Sequence, residues 1–377
     1  MKRKIIHIIN LNGLGGVQKN FIEYYNSLEK NKDFEHYLFC LKNDKSNLID
    51  KNLLYLNNIN NILIFVKLLL NKNTILSIYN RIASFKLLLI NVLLFFKKII
   101  VHERGSVYNI NTTKEVIILK LNYYFISKVI TNSNATKNLL IKKFNLKSDK
   151  ICIVHNGFNL NNFKNIINRN KNSNFIVGFC GRFEFHKNPD KIIEIAKLSS
   201  ANQSIQYSLI GDGSLKSKML KDSKELKNIE ILNRSYDLDS FYNRIDVLVV
   251  PSIREPFGNV IIEAGLRNIP IIASNIDGIP EIIQDNYNGI LITPKIDLDI
   301  KNIKNIKYFP SHVINPISQE LEKPMELLAD DIYEKILYLK NNKKIFNYLS
   351  LNMIKKIKLN FNIENYISKT NQIYKDS

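Results

Sequence analysis

Cysteine is scarce in this chain of 377 residues, with three in all. Cys40, Cys152 and Cys180 stand far apart, without Cys-x-x-Cys or Cys/His spacing, so neither a zinc site nor a disulfide framework is implied. A reducing, cytoplasmic setting fits that usage. Long apolar runs are lacking too. The most apolar stretch, Leu87 to Phe96, is about half the length of a membrane-spanning helix. Flanked by Lys86, Lys97 and Lys98, it suits a core helix or a helix lying at a membrane interface. Met1-Lys-Arg-Lys4 runs straight into the strand-like Ile5 to Ile9 with no small-residue cleavage site, so no signal peptide is indicated.

Acidic residues are missing from one long window. None occurs between Lys51 and His102, where Lys67, Lys72, Arg81 and Lys86 all lie. Of the net charge of +20, residues 1–170 carry +17, with 26 Lys and Arg against 9 Asp and Glu. Such asymmetry predicts an anionic partner for the first half, a membrane surface or a nucleic acid. No RNA- or DNA-binding motif is present and aromatics are not interleaved with the basic runs, which favours the membrane and no nucleic acid.

What is present is a repeating alternation. Short apolar segments at Ile5–Ile9, Tyr37–Leu41, Thr74–Tyr79, Ile99–His102, Val129–Thr131 and Ile151–Val154 read as strands. Amphipathic stretches at Val17–Leu28, Ile82–Phe96 and Ala135–Phe144 read as helices between them. An Asn-rich basic stretch, 161–174, reads as a linker. The alternation then restarts, with strands at Phe175–Cys180, Ile205–Ile210, Ile229–Leu232, Val247–Val250, Ile271–Ala273 and Gly289–Ile292. Helices are expected at Pro189–Leu198, Ser214–Leu220, Val260–Arg267 and Leu327–Leu339. The pattern is α/β, with two Rossmann-like domains facing a central cleft. The expected boundaries are 1–165 for a first domain and 166–360 for a second. Residues 361–377 read as a helix docking back on the first domain. Residues 295–326, with three Pro and no clear period, read as an irregular insertion.

Glu255-Pro-Phe-Gly-Asn-Val-Ile-Ile-Glu263 is the most informative segment. It follows a strand and enters a helix, so Phe257, Gly258, Asn259 and Val260 stand where unpaired backbone N–H groups can meet an anion. Carboxylates on either side can accept hydrogen bonds from hydroxyls. Arg182 and Lys187 flank a second loop, after the strand ending at Cys180, and two cations there suit a diphosphate. Gly15 and Gly16, in the first loop, allow close backbone approach to phosphate or sugar, although Gln18 spoils a dinucleotide fingerprint. His102 ends a strand and has two readings, a contact to a reacting hydroxyl or phosphate and plain packing. His7 reads as structural, while His155 and His186 have no assigned role. Asp237 and Asp239 precede a helix and read as caps, and Asp299 falls in the insertion, so no catalytic metal is expected.

Together these segments resemble the retaining glycosyltransferases of family 4, which have the GT-B fold. Glu255 to Glu263 with Asp277-Gly-Ile-Pro-Glu281 looks like that family's Glu-x7-Glu signature and downstream loop, and Gly181-Arg182 with Lys187 looks like its phosphate-binding pair. Asn159 stands where Asp is usual, His155 where Pro is common, and the 295–326 segment looks longer than usual. The resemblance implies a metal-independent hexosyltransferase that needs no cofactor beyond its nucleotide-sugar donor. It would serve a saccharide or lipid-linked acceptor in bacterial surface polysaccharide or lipopolysaccharide synthesis. The chain would be cytoplasmic and peripheral on the inner face of the membrane. Glu263 would hold the ribose, Glu255 the sugar, Arg182 and Lys187 the departing diphosphate, and His102 would sit near the acceptor. A nucleotide-sugar epimerase of the same fold is the alternative, and a nucleic-acid-binding protein a more distant one.

Overall fold

The structure is a computed structural model that describes residues 2–11, 15–28, 33–40, 53–55, 58–94, 98–163, 174–235, 238–298, 309 and 311–377. Leu41, residues 95–97 at the end of the apolar stretch, most of the expected linker (164–173), Asp237 and Asp299 lie outside them. The chain divides into two compact units, Met1–Asn159 with Phe361–Ser377, and Leu160–Asn360.

The first unit is built on seven strands: β1 (Arg3–Ile9), β2 (Phe34–Cys40), β3 (Leu53–Tyr55), β4 (Thr74–Tyr79), β5 (Lys98–Glu103), β6 (Lys128–Thr131) and β7 (Ile151–Ile153). They form one sheet in the order β3-β2-β1-β4-β5-β6-β7, and all of its pairings are parallel. The helices are α1 (Gly16–Ser27), α2 (Ile59–Leu70), α3 (Phe85–Leu93), α4 (Thr113–Phe125) and α5 (Asn134–Phe144). Right-handed crossovers place α1 on one face of the sheet and α2 to α5 on the other. Strands β4 and β5 are buried over nearly their whole length because both faces of a parallel sheet are covered.

The second unit holds β8 (Phe175–Arg182), β9 (Ile205–Asp212), β10 (Ile229–Asn233), β11 (Val247–Val250), β12 (Ile271–Ser274) and β13 (Ile290–Ile292). They form a parallel sheet in the order β10-β9-β8-β11-β12-β13. Its helices are α6 (Asp190–Leu198), α7 (Lys216–Asp222), α8 (Asp239–Arg244), α9 (Asn259–Gly265) and α10 (Ile279–Ile282). Between 295 and 326 the described residues hold more regular structure than expected. They contain β14 (Ile296–Asp297) paired antiparallel with β17 (Met325–Glu326), and β15 (Val313–Ile314) paired antiparallel with β16 (Leu321–Glu322). Two-residue strands carry no readable alternation, which is why the sequence pattern missed them.

Helices α11 (Ala329–Asn341) and α12 (Lys343–Asn360) close the second unit, and α13 (Ile363–Asp376) belongs to the first. Tyr366 and Tyr374 of α13 are buried in the first unit's core with Phe21, Tyr24 and Ile75. The Tyr374 hydroxyl lies 2.9 Å from that of Ser77, and the Arg3 guanidinium donates to the Tyr374 carbonyl at 2.9 Å. Helices α2, α4, α10 and α12 had no counterpart in the sequence pattern, while α8 begins at Asp239, where a helix was expected. The expected helix at Ile82–Phe96 shortens to α3, and the core-helix reading gives way, because Phe85, Leu89, Val92 and Leu93 are exposed. Among the described residues no helix is long and apolar enough to cross a membrane.

Candidate functional site

In the second unit the strand order reverses at β8: the chain moves outward through β9 and β10, then returns to lay β11 on the other side. The carboxyl ends of β8 and β11 therefore stand side by side and splay their loops apart, which is where open parallel sheets bind ligands. The β8 loop carries Arg182, His186 and Lys187. The β11 loop carries Ser252, Arg254 and Glu255. The Lys187 ammonium and the Glu255 carboxylate, 68 residues apart in sequence, form a hydrogen-bonded ion pair with side chains 19% and 7% exposed. The Ser252 hydroxyl also donates to Glu255, at 3.3 Å.

Arg182 is exposed and its guanidinium donates to His186 Nε2 at 3.1 Å. A guanidinium can only donate, so that nitrogen is an acceptor and the proton of the neutral ring sits on Nδ1. Burial holds His186 well below the usual histidine range, and the charges of Arg254, Lys187 and Arg182 add to it. Burial likewise lowers the Lys187 ammonium, against the opposing pull of Glu255. Three cations thus gather around one neutral histidine. Glu255 and the buried Asp277 supply the negative charge nearby, so the cluster keeps an excess of positive charge suited to an anion.

Backbone geometry fixes this arrangement. Gly258 precedes α9 with φ 106°, a conformation open to glycine and strained for other residues. A Cβ on Gly278 would lie 2.2 Å from the Pro256 carbonyl oxygen, so only glycine lets the β12 loop approach the Glu255 loop so closely. Phe257 is buried, and Asn259 and Val260 open α9. Helix α9 has seven residues, and the Ile261 N–H is already donated to the Gly258 carbonyl. Glu263, on α9, is half-buried and accepts from the Tyr242 hydroxyl at 3.1 Å. Arg267 stacks on the Tyr242 ring at 4.7 Å and pairs with Asp239, whose Oδ1 accepts from Arg267 Nε at 2.8 Å. Asp239 is therefore not a cap: it lies in the first turn of α8 and anchors Arg267.

The structure thus gathers Arg182, Lys187, Glu255, Phe257, Gly258, Asn259, Val260 and Glu263 on the β8 and β11 loops and α9. Gly15 and Gly16 lie in the first unit, at the start of α1. Gly15 is the cap with φ −86°, and Gly16 is the first helical residue. Neither has the left-handed conformation that would demand glycine. His102, also in the first unit, is fully buried. Its ring stacks on Tyr79 with centroids 4.3 Å apart. Its Nδ1 accepts from Arg104 at 3.2 Å, leaving Nε2–H to donate to the Tyr374 hydroxyl at 3.1 Å. Burial and the Arg104 charge hold it neutral. With both ring nitrogens engaged, the packing reading describes His102, and the expected contact to an acceptor has no free nitrogen to make it.

Sequence reasoning gave no role to His186, Arg254, Tyr242 or Asp277. His186 carried a signal in retrospect, standing between the two cations expected to bind phosphate. An open cavity of about 510 Å³ lies at the amino ends of β8, β9 and β10, lined by Ile176, Gln206, Ser208 and Glu230, and holds none of the expected residues. Among the described residues no three His, Cys, Asp or Glu side chains converge as a metal site would require.

Residues 161–306 match the family model described as glycosyl transferases group 1. An uncharacterized glycosyltransferase of Methanocaldococcus jannaschii is 34% identical over 47% of this chain and 50% of its own length. The UDP-Gal:alpha-D-GlcNAc-diphosphoundecaprenol alpha-1,3-galactosyltransferase of Escherichia coli is 26% identical over 66% of this chain and 60% of its own. The capsular polysaccharide biosynthesis glycosyltransferase CapM of Staphylococcus aureus is 26% identical over 46% and 50%. The chain spans about half the length of the curated relatives it matches. Among solved structures, Anabaena HepE in complex with UDP-glucose superimposes with TM-score 0.75 at 16% identity, covering 100% of both chains. A glycosyltransferase from Rickettsia africae gives 0.73 at 17%, covering 100% of this chain and 98% of that one. At those identities the likeness is one of fold. Neither the epimerase nor the nucleic-acid reading finds a counterpart in these relatives. The chain thus has a GT-B fold, and residues 161–306 within its second unit resemble the glycosyl transferases group 1.

Proposed function

We propose that this protein is a retaining, metal-independent family 4 hexosyltransferase that moves a sugar from a nucleotide-sugar to a saccharide or lipid-linked acceptor. The reaction belongs to surface polysaccharide or lipopolysaccharide synthesis. The observation that carries this reading is the gathering of Arg182, Lys187 and Arg254 around His186 at the β8 and β11 loop ends, with Glu255 and Glu263 on either side of the α9 start. Arg182 and Lys187 take the diphosphate, where negative charge grows as the sugar leaves, and so supply the stabilisation a metal would otherwise give. Glu263 accepts from the ribose hydroxyls and Glu255 from the sugar, with backbone N–H groups of the Phe257–Val260 stretch between them. The two carboxylates are binding groups here, each tied to a partner of its own, and not an acid and base flanking a glycosidic bond. The departing phosphate takes the acceptor's proton.

The first unit serves the acceptor side and rests on an anionic membrane, with the chain peripheral to the cytoplasmic face. Helices α2, α3 and α4 share one face of its sheet, and the side chains of Leu63, Leu70, Leu93 and Tyr124 on them are 63 to 78% exposed. Lys67, Lys86, Lys114 and Lys120 lie on the same helices. Apolar surface with a lysine fringe fits a lipid interface carrying negative charge.

Incubation with a panel of nucleotide-sugars and a lipid-extract acceptor tests the activity. Acceptor-dependent release of nucleoside diphosphate, with the product's anomeric configuration matching the donor's, is expected. Turnover without acceptor, or an inverted product, contradicts the reading. Flotation with vesicles tests the surface: binding is expected to need anionic lipid and to fall in Leu63→Ser/Leu93→Ser. Equal flotation of both proteins would remove the membrane role from these helices.

A further inference from the structure

Asp277 stands at the join between the β12 loop and the 309–326 segment. Its φ is 45°, the left-handed region that a residue with a side chain adopts at a cost, and it is 3% exposed. Both carboxylate oxygens accept backbone N–H groups, Oδ1 from Ile314 at 2.7 Å and Oδ2 from Glu255 at 3.0 Å. Its own N–H donates to the Ile314 carbonyl at 3.0 Å, and the Gly278 N–H donates to the Glu255 carbonyl at 3.1 Å. The Glu255 peptide is therefore held on both sides, at N–H and at C=O, by two consecutive residues. The same carboxylate fastens β15, whose Val313 and Ile314 are buried. Phe309 stacks on Phe185 of the Lys187 loop, with centroids 5.7 Å apart and planes 26° off parallel. Phe309 and β15 are thus fastened to the two loops that form the Lys187–Glu255 pair.

We propose that Asp277 is a positioning residue of the donor site, and that through it the β15–β16 hairpin sets how Glu255 grips the transferred sugar. This rests on the reading of Glu255 as the sugar-binding carboxylate. A glycine at 277 would adopt φ 45° without strain. Asp there exchanges that ease for two charge-assisted hydrogen bonds, one of which ends on the backbone of Glu255. The tie acts on the sugar end of the site. Glu263, at the ribose end, is held separately by Tyr242.

The test is calorimetric binding of the nucleotide-sugar selected from the panel, and of its nucleoside diphosphate alone, to the full chain and to Asp277→Gly and Asp277→Asn. The glycine variant is expected to bind the nucleoside diphosphate within about twofold of the parent and the nucleotide-sugar about tenfold more weakly. The asparagine variant, which keeps one acceptor oxygen, should fall between, and serves alone if the glycine variant does not fold. Equal loss on both ligands would make Asp277 a fold determinant only, and no loss on either would remove it from the site; each result overturns the proposal. A parent chain that binds nucleoside diphosphate but no nucleotide-sugar overturns this proposal together with the sugar role of Glu255. Parent binding with unchanged variants overturns the Asp277 role alone.

Discussion

The two units share a parallel sheet with one reversal of strand order, and each buries a neutral histidine next to an arginine. In the first unit His102 is closed in by Arg104, Tyr79 and Tyr374, and Arg104 also donates to the Val154 carbonyl at 2.9 Å and the Tyr366 hydroxyl at 2.7 Å. That network ends on α13 and fastens the carboxyl-terminal helix. In the second unit His186 accepts from Arg182, which is exposed, and sits among Lys187, Arg254 and Glu255. The same pair of residue types is structural where both ring nitrogens and the guanidinium meet protein, and suited to a ligand where charge is left over. Satisfaction of polar groups, more than residue type, separates a latch from a site.

The comparison breaks most sharply at Lys187. Lys187→Ala leaves Glu255 a buried carboxylate without its ion partner, at a cost of ~3–5 kcal/mol in unfolding free energy, and should lower transfer about 10²–10³-fold. Pairing Lys187→Met with Glu255→Gln should restore most of the stability, measured by denaturant unfolding, and none of the transfer. Recovery of activity in the double variant would show that the pair only holds the fold.

A smaller effect is expected in the first unit. Tyr374→Phe removes the hydroxyl shared with Ser77 and His102 and should cost ~1–2 kcal/mol of stability. Transfer at saturating donor should stay within about twofold if that network is a latch. A large fall in kcat with unchanged stability would return His102 to the reaction.

The most general effect is on pH. Burial lowers His7, His36, His102 and His186, with His36 at about 4. On acidification the unfolded chain takes up protons near the ordinary value of about 6.5, while the folded chain refuses them. Stability is therefore full above about pH 7 and is lost as the pH falls from about 6.5 toward 4. Three of these four histidines lie in the first unit, so its tryptic sites should open first at pH 5. Stability that is level or rising between pH 7 and 5 would contradict the assigned neutral state.

Much of the scaffold was legible, because burial of both sheet faces writes short apolar runs into the sequence. Thr74–Tyr79 and Val247–Val250 match their strands residue for residue. Helix α2, Ile-Asn-Asn-Ile-Leu-Ile-Phe-Val-Lys-Leu-Leu-Leu, was not legible, since its apolar residues run almost unbroken from Ile62 to Leu70 and such a run does not by itself separate helix from strand. The Glu255–Glu263 segment was legible as chemistry because strand, glycine and helix start follow one another in order. Its pairing with Lys187 was not, because topology alone brings those residues together. Asp277 was legible only as part of the Asp277–Glu281 motif: its own role depends on a positive φ and on backbone partners, which the motif does not spell out.

In the proposed function a nucleotide-sugar binds across the carboxyl ends of β8 and β11. Hydrogen exchange with and without a saturating nucleotide-sugar tests it most directly. Slowed exchange is predicted in peptides covering 182–188 and 252–266, with little change around Gln206 and Glu230 at the amino ends of the sheet. Protection confined to those amino ends, or absent from both loops while ligand is bound, would contradict it.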